Sequence, residues 1–264
     1  MQTEKTERGY WDSAWAECPI RKPVDPSLSG LNNLVERRIH EWLSQHLSHL
    51  QRGARLLEIG CGCSAWLPYF SIQYGFQVSG VDYSPDGCEG ARRTLSAAGV
   101  EGKVFQCDFR DPPETLLESF DVVFSFGVIE HFIDTAAALQ ACAAYLKPGG
   151  LLVTLVPNMN GIPGVLQRLL NHGVFDIHVP LDQKDFYTAH GLAELDVDIC
   201  QYLLFINLNV VNVEGKRERW FYRPVIRGRS WISKAIWTAE QLSTPFPPNR
   251  LTSPYIGCIA SRRS

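Results

Sequence analysis

Nothing in this chain runs apolar for long enough to cross a bilayer. Its eight cysteines include no CxxC pair, and no secretory leader is evident. Reduced thiols in a cytoplasm are therefore expected. Cys61 and Cys63 lack the second pair that a structural zinc site needs, and read as small residues in a turn. Charge of one sign is not in excess: the net charge of −3 excludes a general pull toward nucleic acid or an anionic membrane. No internal repeat or low-complexity stretch is evident. What is present is a 264-residue chain, 45% hydrophobic and 11% aromatic, enough to bury a large core.

Residues 1–28 are polar, then aromatic (Tyr10, Trp11, Trp15), then proline-rich, and read as an irregular arm. A helix is expected from Ser29 to about Leu50, because Leu31, Leu34, Val35, Ile39, Trp42, Leu43 and Leu47 recur on one face. Strand–helix alternation follows. Strands are expected at Arg55–Ile59, Gln77–Val81, Lys103–Gln106, Phe120–Phe126 and Leu151–Val156. Helices are expected at Ser64–Tyr74, Asp86–Ala98 and Thr135–Leu146. Near-continuous apolar strands separated by helices imply a parallel sheet covered on both faces. Further on, helices are expected near Val165–Leu170, Lys184–His190 and Ser230–Leu242, and strands at Asp196–Val211 and Pro254–Ala260. The basic run Lys216–Arg229 reads as a solvated loop, with binding of an acidic carrier or substrate as the alternative.

The informative residues sit where strands end. Leu-Glu-Ile-Gly-Cys-Gly at 57–62 carries strand one into a tight turn. Glycine at 60 and 62 lets backbone N–H groups approach a ligand with no Cβ in the way. Asp82 ends strand two, where a carboxylate can accept both hydroxyls of a ribose. Asp108 and Phe109 follow strand three, an acid for an exocyclic amine beside a ring for stacking. Gly127 ends strand four and leaves room for the reacting end of a cofactor. Gly60, Gly62 and Ala65 also satisfy the dinucleotide pattern GxGxxA. Glu58 beside the turn, Asp108 over the adenine position, and the GVIEHF and LKPGG segments speak against a dehydrogenase.

The segments LLEIGCGCS, VSGVDYSP, VFQCDFRD, FDVVFSFGVIEHF and LKPGGLLVTLVPN resemble those of class I S-adenosylmethionine-dependent methyltransferases, over residues 55–158. The resemblance implies an α/β, Rossmann-like fold with a seven-stranded sheet ordered 3-2-1-4-5-7-6, strand seven antiparallel. It implies S-adenosylmethionine held with its methionine portion at Gly60 and Gly62, its ribose at Asp82, its adenine at Asp108 and Phe109, and its methionine moiety and sulfonium near Gly127; Tyr10, Glu58 and Tyr83 are also expected to bind the cofactor. Ser64 stands where many members have a third glycine. Tyr10 and Trp11 in GYWDSAW resemble an N-terminal lid, so residues 1–28 are expected to cover a domain of residues 29–264. Substrate-covering insertions are expected at 158–190 and 212–250.

Acceptor chemistry is less constrained. His131, after Glu130, either removes a proton from the acceptor or packs locally. His178 and Asp176 lie in the expected insertion and either orient an acceptor or are surface residues. Tyr10, Trp11, Phe175 and Tyr187 either form an aromatic wall facing the sulfonium or pack as core. Asp111–Pro113 follows strand three, not strand four, and reads as a proline turn rather than a nucleic-acid amino-methyltransferase motif. No nucleic-acid or membrane partner is expected, and no metal. The reading is a cytoplasmic methyltransferase acting on a small molecule or carrier-bound metabolite. Two alternatives stand: intramolecular cyclisation of S-adenosylmethionine to azetidine-2-carboxylate with release of methylthioadenosine, and a non-catalytic cofactor-binding subunit.

Overall fold

A computed structural model describes residues 4–6, 8–16, 18–213 and 222–263. Seven strands form one sheet: β1 (Arg55–Ile59), β2 (Gln77–Asp82), β3 (Gly102–Gln106), β4 (Phe120–Phe126), β5 (Leu146–Pro157), β6 (Leu195–Leu203) and β7 (Tyr255–Arg262). Their order is β3-β2-β1-β4-β5-β7-β6. β1 pairs in parallel with β2 and β4, and β7 runs antiparallel to both β5 and β6. Nine helices accompany them among the described residues: α1 (Arg8–Trp15), α2 (Leu34–Leu47), α3 (Trp66–Tyr74), α4 (Pro85–Ala97), α5 (Thr135–Ala143), α6 (Ile162–Leu170), α7 (His172–Asp176), α8 (Gln183–Leu192) and α9 (Arg223–Leu242).

Strand side chains alternate between two cores, as a period of two requires. Leu57 and Ile59 of β1, with Val123 of β4 and Leu152 and Val156 of β5, face α5 and α8 through Leu139, Cys142 and Phe186. Leu56 of β1, with Val122 and Phe124 of β4 and Val153 and Leu155 of β5, face α2 and α3 through Leu43, Leu47 and Phe70. Both faces of the central strands are thus dry, which is why these strands read as unbroken apolar runs. Truncating a buried ring such as Phe124 costs about 3–5 kcal/mol, since the cavity left behind cannot fully collapse.

Helix ends follow local chemistry. Ser84 caps α4 by accepting from the Gly87 amide at 3.3 Å, with Pro85 in the first turn. Asp134 caps α5 through Ala137. Asp182 and Asp185 form a reciprocal capping box on α8. α3 ends on Gly75, whose φ of +69° suits a residue with no Cβ.

Several expectations need correction. The arm is not irregular throughout, since residues 8–15 form α1. Ser29 does not cap α2; a short 3-10 turn at Leu31–Asn33 precedes that helix. β6 stops at Leu203, and Leu208–Val210 forms a 3-10 turn in place of further strand. β5 begins at Leu146 rather than Leu151, and the helix expected to reach Leu146 ends at Ala143. The expected insertion at 158–190 includes part of α8, yet α8 packs on the sheet: buried His190 bonds Thr154 of β5 at 2.9 Å. Of the expected basic loop, Arg223, Arg227 and Arg229 lie on α9, where Arg229 donates to the Val211 carbonyl. Lys216, Arg217 and Arg219 lie outside the described residues. α9 packs on Leu34, Ile206 and Leu208 through Trp237. No helix among the described residues is long and apolar enough to cross a membrane.

Candidate active site

The turn after β1 hangs from the end of β2. The Gly60 and Cys61 amides both donate to the Val81 carbonyl, at 2.8 and 3.1 Å. The Gly62 amide donates to Asp82 Oδ2 at 2.9 Å. These three amides are therefore engaged within the protein, contrary to the expectation that the turn offers them to a ligand. The glycines matter through what they omit. Gly60 has φ +69°, and a Cβ there would collide with Val128 Cγ2. A Cβ on Gly62 would come within 2.8 Å of both Asp82 Oδ2 and Trp15 Nε1.

A cavity of about 430 Å³ opens over these strand ends, within the range of small-molecule and cofactor pockets. Glu58, Gly60, Gly62, Asp82, Tyr83, Phe109, Gly127 and His131 all line it. Trp11 and Trp15 close one side, with ring centroids 5.9 Å apart and planes 22° apart. They are four residues apart on α1 and so share one face. Tyr10 is one position round, is 39% exposed, and does not line this cavity. It borders a second cavity of about 470 Å³, which shares Trp11, Trp15, Gly127 and His131 with the first. Of the four aromatics considered for a wall, only Trp11 lines the first cavity; Phe126 and Tyr255, 5.3 Å apart edge to face, complete it instead. Tyr187 is exposed and lines neither cavity.

Four acids line the first cavity, Glu4, Glu36, Glu58 and Asp82, and of these Glu58 and Asp82 are buried. Asp82 accepts from Gly62 through Oδ2 and from Ser84 through Oδ1 at 2.8 Å, and the Tyr83 amide adds a third backbone bond. Burial raises its pKa against those amide bonds. Glu58 is 3% exposed; Oε1 accepts from Ser64 Oγ at 2.6 Å and Oε2 is buried with no hydrogen-bond partner. Burial pushes its pKa up to about 8. Ser64, at the position of the missing third glycine, also accepts from the Trp66 amide at 2.9 Å. It thus ties the glycine turn to the start of α3.

Asp108 is placed differently from expectation. Its carboxylate is gripped by Arg110, with Nε at 2.9 Å and Nη2 at 2.6 Å, and it does not line the cavity. Arg110 also pairs with Glu4 at 3.1 Å and lies over the Phe132 ring. Asp176 pairs with His172 at 2.7 Å on an exposed helix face and reaches neither cavity.

His131 and His178 come together, with ring centroids 4.7 Å apart. His131 Nδ1–H donates to the Ile177 carbonyl at 2.7 Å, and His178 Nδ1–H to the Val174 carbonyl at 2.5 Å. A carbonyl only accepts, so in each neutral ring the lone pair is on Nε2. Burial holds the His131 pKa down at about 3 and lowers that of His178.

Sequence reasoning missed one covalent feature. Cys18, just beyond α1, and Cys63, in the glycine turn, form a disulfide with Cα atoms 6.3 Å apart. Reduced thiols were expected because the sequence shows no CxxC pair and no secretory leader, and cysteines 45 positions apart carry no pairing signal of their own.

This sheet order, with ligand-sized space over the glycine turn, defines a Rossmann-like methyltransferase fold. The chain belongs to the methyltransferase domain family, whose model matches residues 31–195. It is 32% identical over 158 residues to a ubiquinone biosynthesis O-methyltransferase of Bradyrhizobium sp. (strain ORS 278), covering 59% of this chain and 60% of the relative. It is 33% identical over 153 residues to the protein of that name from Rhodopseudomonas palustris (strain BisB18), covering 57% and 58%. The match thus spans about 60% of the length of these curated relatives. Among solved structures, the [4+2]-cyclase SpnF superposes with a TM-score of 0.64 at 14% identity, over 99% of this chain and 96% of that one. A geranyl diphosphate C-methyltransferase from Streptomyces coelicolor A3(2) superposes with a TM-score of 0.58 at 16% identity, over 96% of each chain. At these identities the superpositions speak to fold alone.

Proposed function

We propose that this chain transfers the methyl group of S-adenosylmethionine to a hydroxyl of a small molecule. The observation that carries the reading is the second cavity adjoining the first at Gly127 and His131. Intramolecular cyclisation needs no acceptor space, whereas transfer to a second molecule does. The relatives named as O-methyltransferases support oxygen as the acceptor atom.

The residues present fit the cofactor. Glu58 Oε2 is a buried carboxylate oxygen lacking a partner, suited to the α-ammonium of the methionine portion. Asp82 faces the cavity as an acceptor for a ribose hydroxyl, and Phe109 offers a ring to the adenine. Trp11, Trp15 and Phe126 line the cavity with aromatic rings, whose π faces favour a sulfonium. Bound there, S-adenosylmethionine supplies an electrophilic methyl carbon. The chain's contribution is to hold the acceptor oxygen in line with it, a positioning effect worth several kcal/mol. His131 with its lowered pKa is a poor proton acceptor by itself, so a simple general-base role for it is disfavoured.

The test is to incubate the full chain with S-adenosylmethionine alone and then with a pool of phenols and catechols, following products by mass spectrometry. S-adenosylhomocysteine that appears only with the pool, with a matching mass gain on one acceptor, is the expected result. Methylthioadenosine formed from S-adenosylmethionine alone would overturn the reading in favour of cyclisation.

A further inference from the structure

Glu130, His131 and His178 are 2%, 4% and 8% exposed. One ligand atom from each lies within 4.8 Å of those of the other two. Glu130 Oε2 is buried without a hydrogen-bond partner. A lone carboxylate oxygen in such a place is costly unless a cation or a proton meets it. The two histidines are already set as ligands are set elsewhere. Each Nδ1–H is tied to a backbone carbonyl, which fixes the ring and leaves the Nε2 lone pair available. All three residues line the second cavity, and His131 lines the first as well.

We propose that Glu130, His131 and His178 form a binding site for one divalent transition-metal ion, zinc or a similar borderline cation, on the wall shared by the two cavities. Two imidazoles and a carboxylate are a ligand set that such ions take, and three protein ligands leave a position open toward the cavity. Ligand atoms around tetrahedral zinc stand roughly 3.3 Å apart, as metal–ligand bonds of about 2.0–2.2 Å require. The side chains must therefore draw together by up to roughly 1.5 Å. Lys5 lies beside the cluster, its Nζ donating to the His178 carbonyl at 2.7 Å. Its charge opposes a metal ion, and the Glu130 carboxylate offsets it.

The role of the ion rests on the methyl-transfer reading above. An acceptor hydroxyl taken up at the open position gives its proton to solvent. Its oxygen pair forms the C–O bond to the methyl carbon as the C–S bond breaks. The electrons of that bond stay on sulfur, leaving a neutral thioether. This accounts for two buried histidines beside the acceptor cavity that are poorly suited to take a proton themselves.

The experiment uses the full chain, stripped with chelator and dialysed against Zn²⁺ or Co²⁺. Metal content is measured together with the Co²⁺ d–d spectrum and the ¹⁵N shifts of the imidazoles. One equivalent is expected, with nitrogen-and-oxygen bands and shifts at the Nε2 atoms of two histidines. Glu130→Gln and His178→Gln should each weaken binding at least tenfold, whereas His172→Gln on the exposed α7 should not. Affinity for S-adenosylmethionine, measured by calorimetry, reports whether each variant is folded. No stoichiometric uptake by the wild-type chain would overturn the proposal, as would equal affinity in folded Glu130→Gln and His178→Gln. In that case Glu130 is satisfied by a proton or by Lys5. The readouts separate the two readings: metal uptake without S-adenosylhomocysteine formation supports the site and sinks the proposed reaction. Methyl transfer that persists in chelator sinks the role given to the ion.

Discussion

The amide of Gly62 and Oδ2 of Asp82 are 2.9 Å apart, a side-chain bond that adds to the Gly60 and Cys61 amide bonds in joining the turn after β1 to the end of β2. The same carboxylate holds the Ser84 amide at the start of α4. Asp82 is thus a structural clasp before it is a ligand for anything. Asp82→Ala is expected to remove these charge-assisted bonds and to destabilise the fold by about 1.5–3 kcal/mol, besides weakening cofactor binding. Urea unfolding and calorimetry would check this; unchanged stability would show that the clasp contributes nothing.

Gly60→Ala should be damaging for a different reason. Its φ of +69° disfavours a side chain, and the new Cβ would meet Val128. A cost of about 1–3 kcal/mol is expected, with a displaced turn and loss of S-adenosylmethionine affinity. Gly53→Ala is the control: φ there is +87°, but no atom lies within 4 Å of the added Cβ, and the residue is far from the cavity. Its effect should fall on stability alone.

The α1 segment should behave as a cover. Trp11 and Trp15 stack on each other, Trp11 meets His131 edge-on at 5.1 Å, and Trp15 lies against Gly62 and Gly87. Deleting residues 1–16 is expected to lower S-adenosylmethionine affinity by tenfold or more. Equal affinity and turnover in the truncated chain would rule out a lid function.

The Cys18–Cys63 disulfide ties that cover to the glycine turn. Cys18→Ser should lower the unfolding free energy by about 2–4 kcal/mol under oxidising conditions, through the greater freedom of the unfolded chain. The difference should vanish in dithiothreitol. A variant equally less stable in reductant would mean that packing of Cys18, not the bond, is responsible.

Stability of the ligand-free chain should fall as pH rises from about 6.5 to 8. Glu58 and Glu130 both have pKa values pushed up to about 8 by burial, from 4.5 when exposed. In that window the folded state binds more protons than the unfolded state, so deprotonation drains stability, by up to about 1.4 kcal/mol per pH unit per group. His131 and His190 act oppositely: burial lowers them to about 3 and about 4, so their contribution is lost as pH falls below 6.5. The two trends offset each other between about 4.5 and 6.5. Glu130→Gln should flatten the alkaline limb in denaturant titrations across pH; an unchanged slope would show that Glu130 does not titrate there.

From α2 to residue 157 the order of strands and helices was legible because most strands there are apolar runs ended by glycine, aspartate or a turn. Glu58, Gly60, Gly62, Asp82 and Gly127 were legible as cavity residues for the same reason, since a parallel sheet brings its strand ends to one edge. Tyr10 was named with Trp11, and Trp15 was passed over, because nothing in an isolated GYWDSAW tells which face of the segment turns inward. Asp108 was assigned to the cavity on its position after β3, but Arg110, two residues on, draws its carboxylate aside.

The sequence by itself determined the periodicities, and with them the doubly covered parallel sheet and its glycine turn, because those depend on neighbours a few residues apart. Only the tertiary structure decided what depends on residues far apart in the chain. It set the Cys18–Cys63 bond, laid Trp15 against Gly62, and brought His178 from the segment after β5 beside Glu130 and His131. Such contacts arise from how packed layers close on one another, and no local pattern of side chains records them.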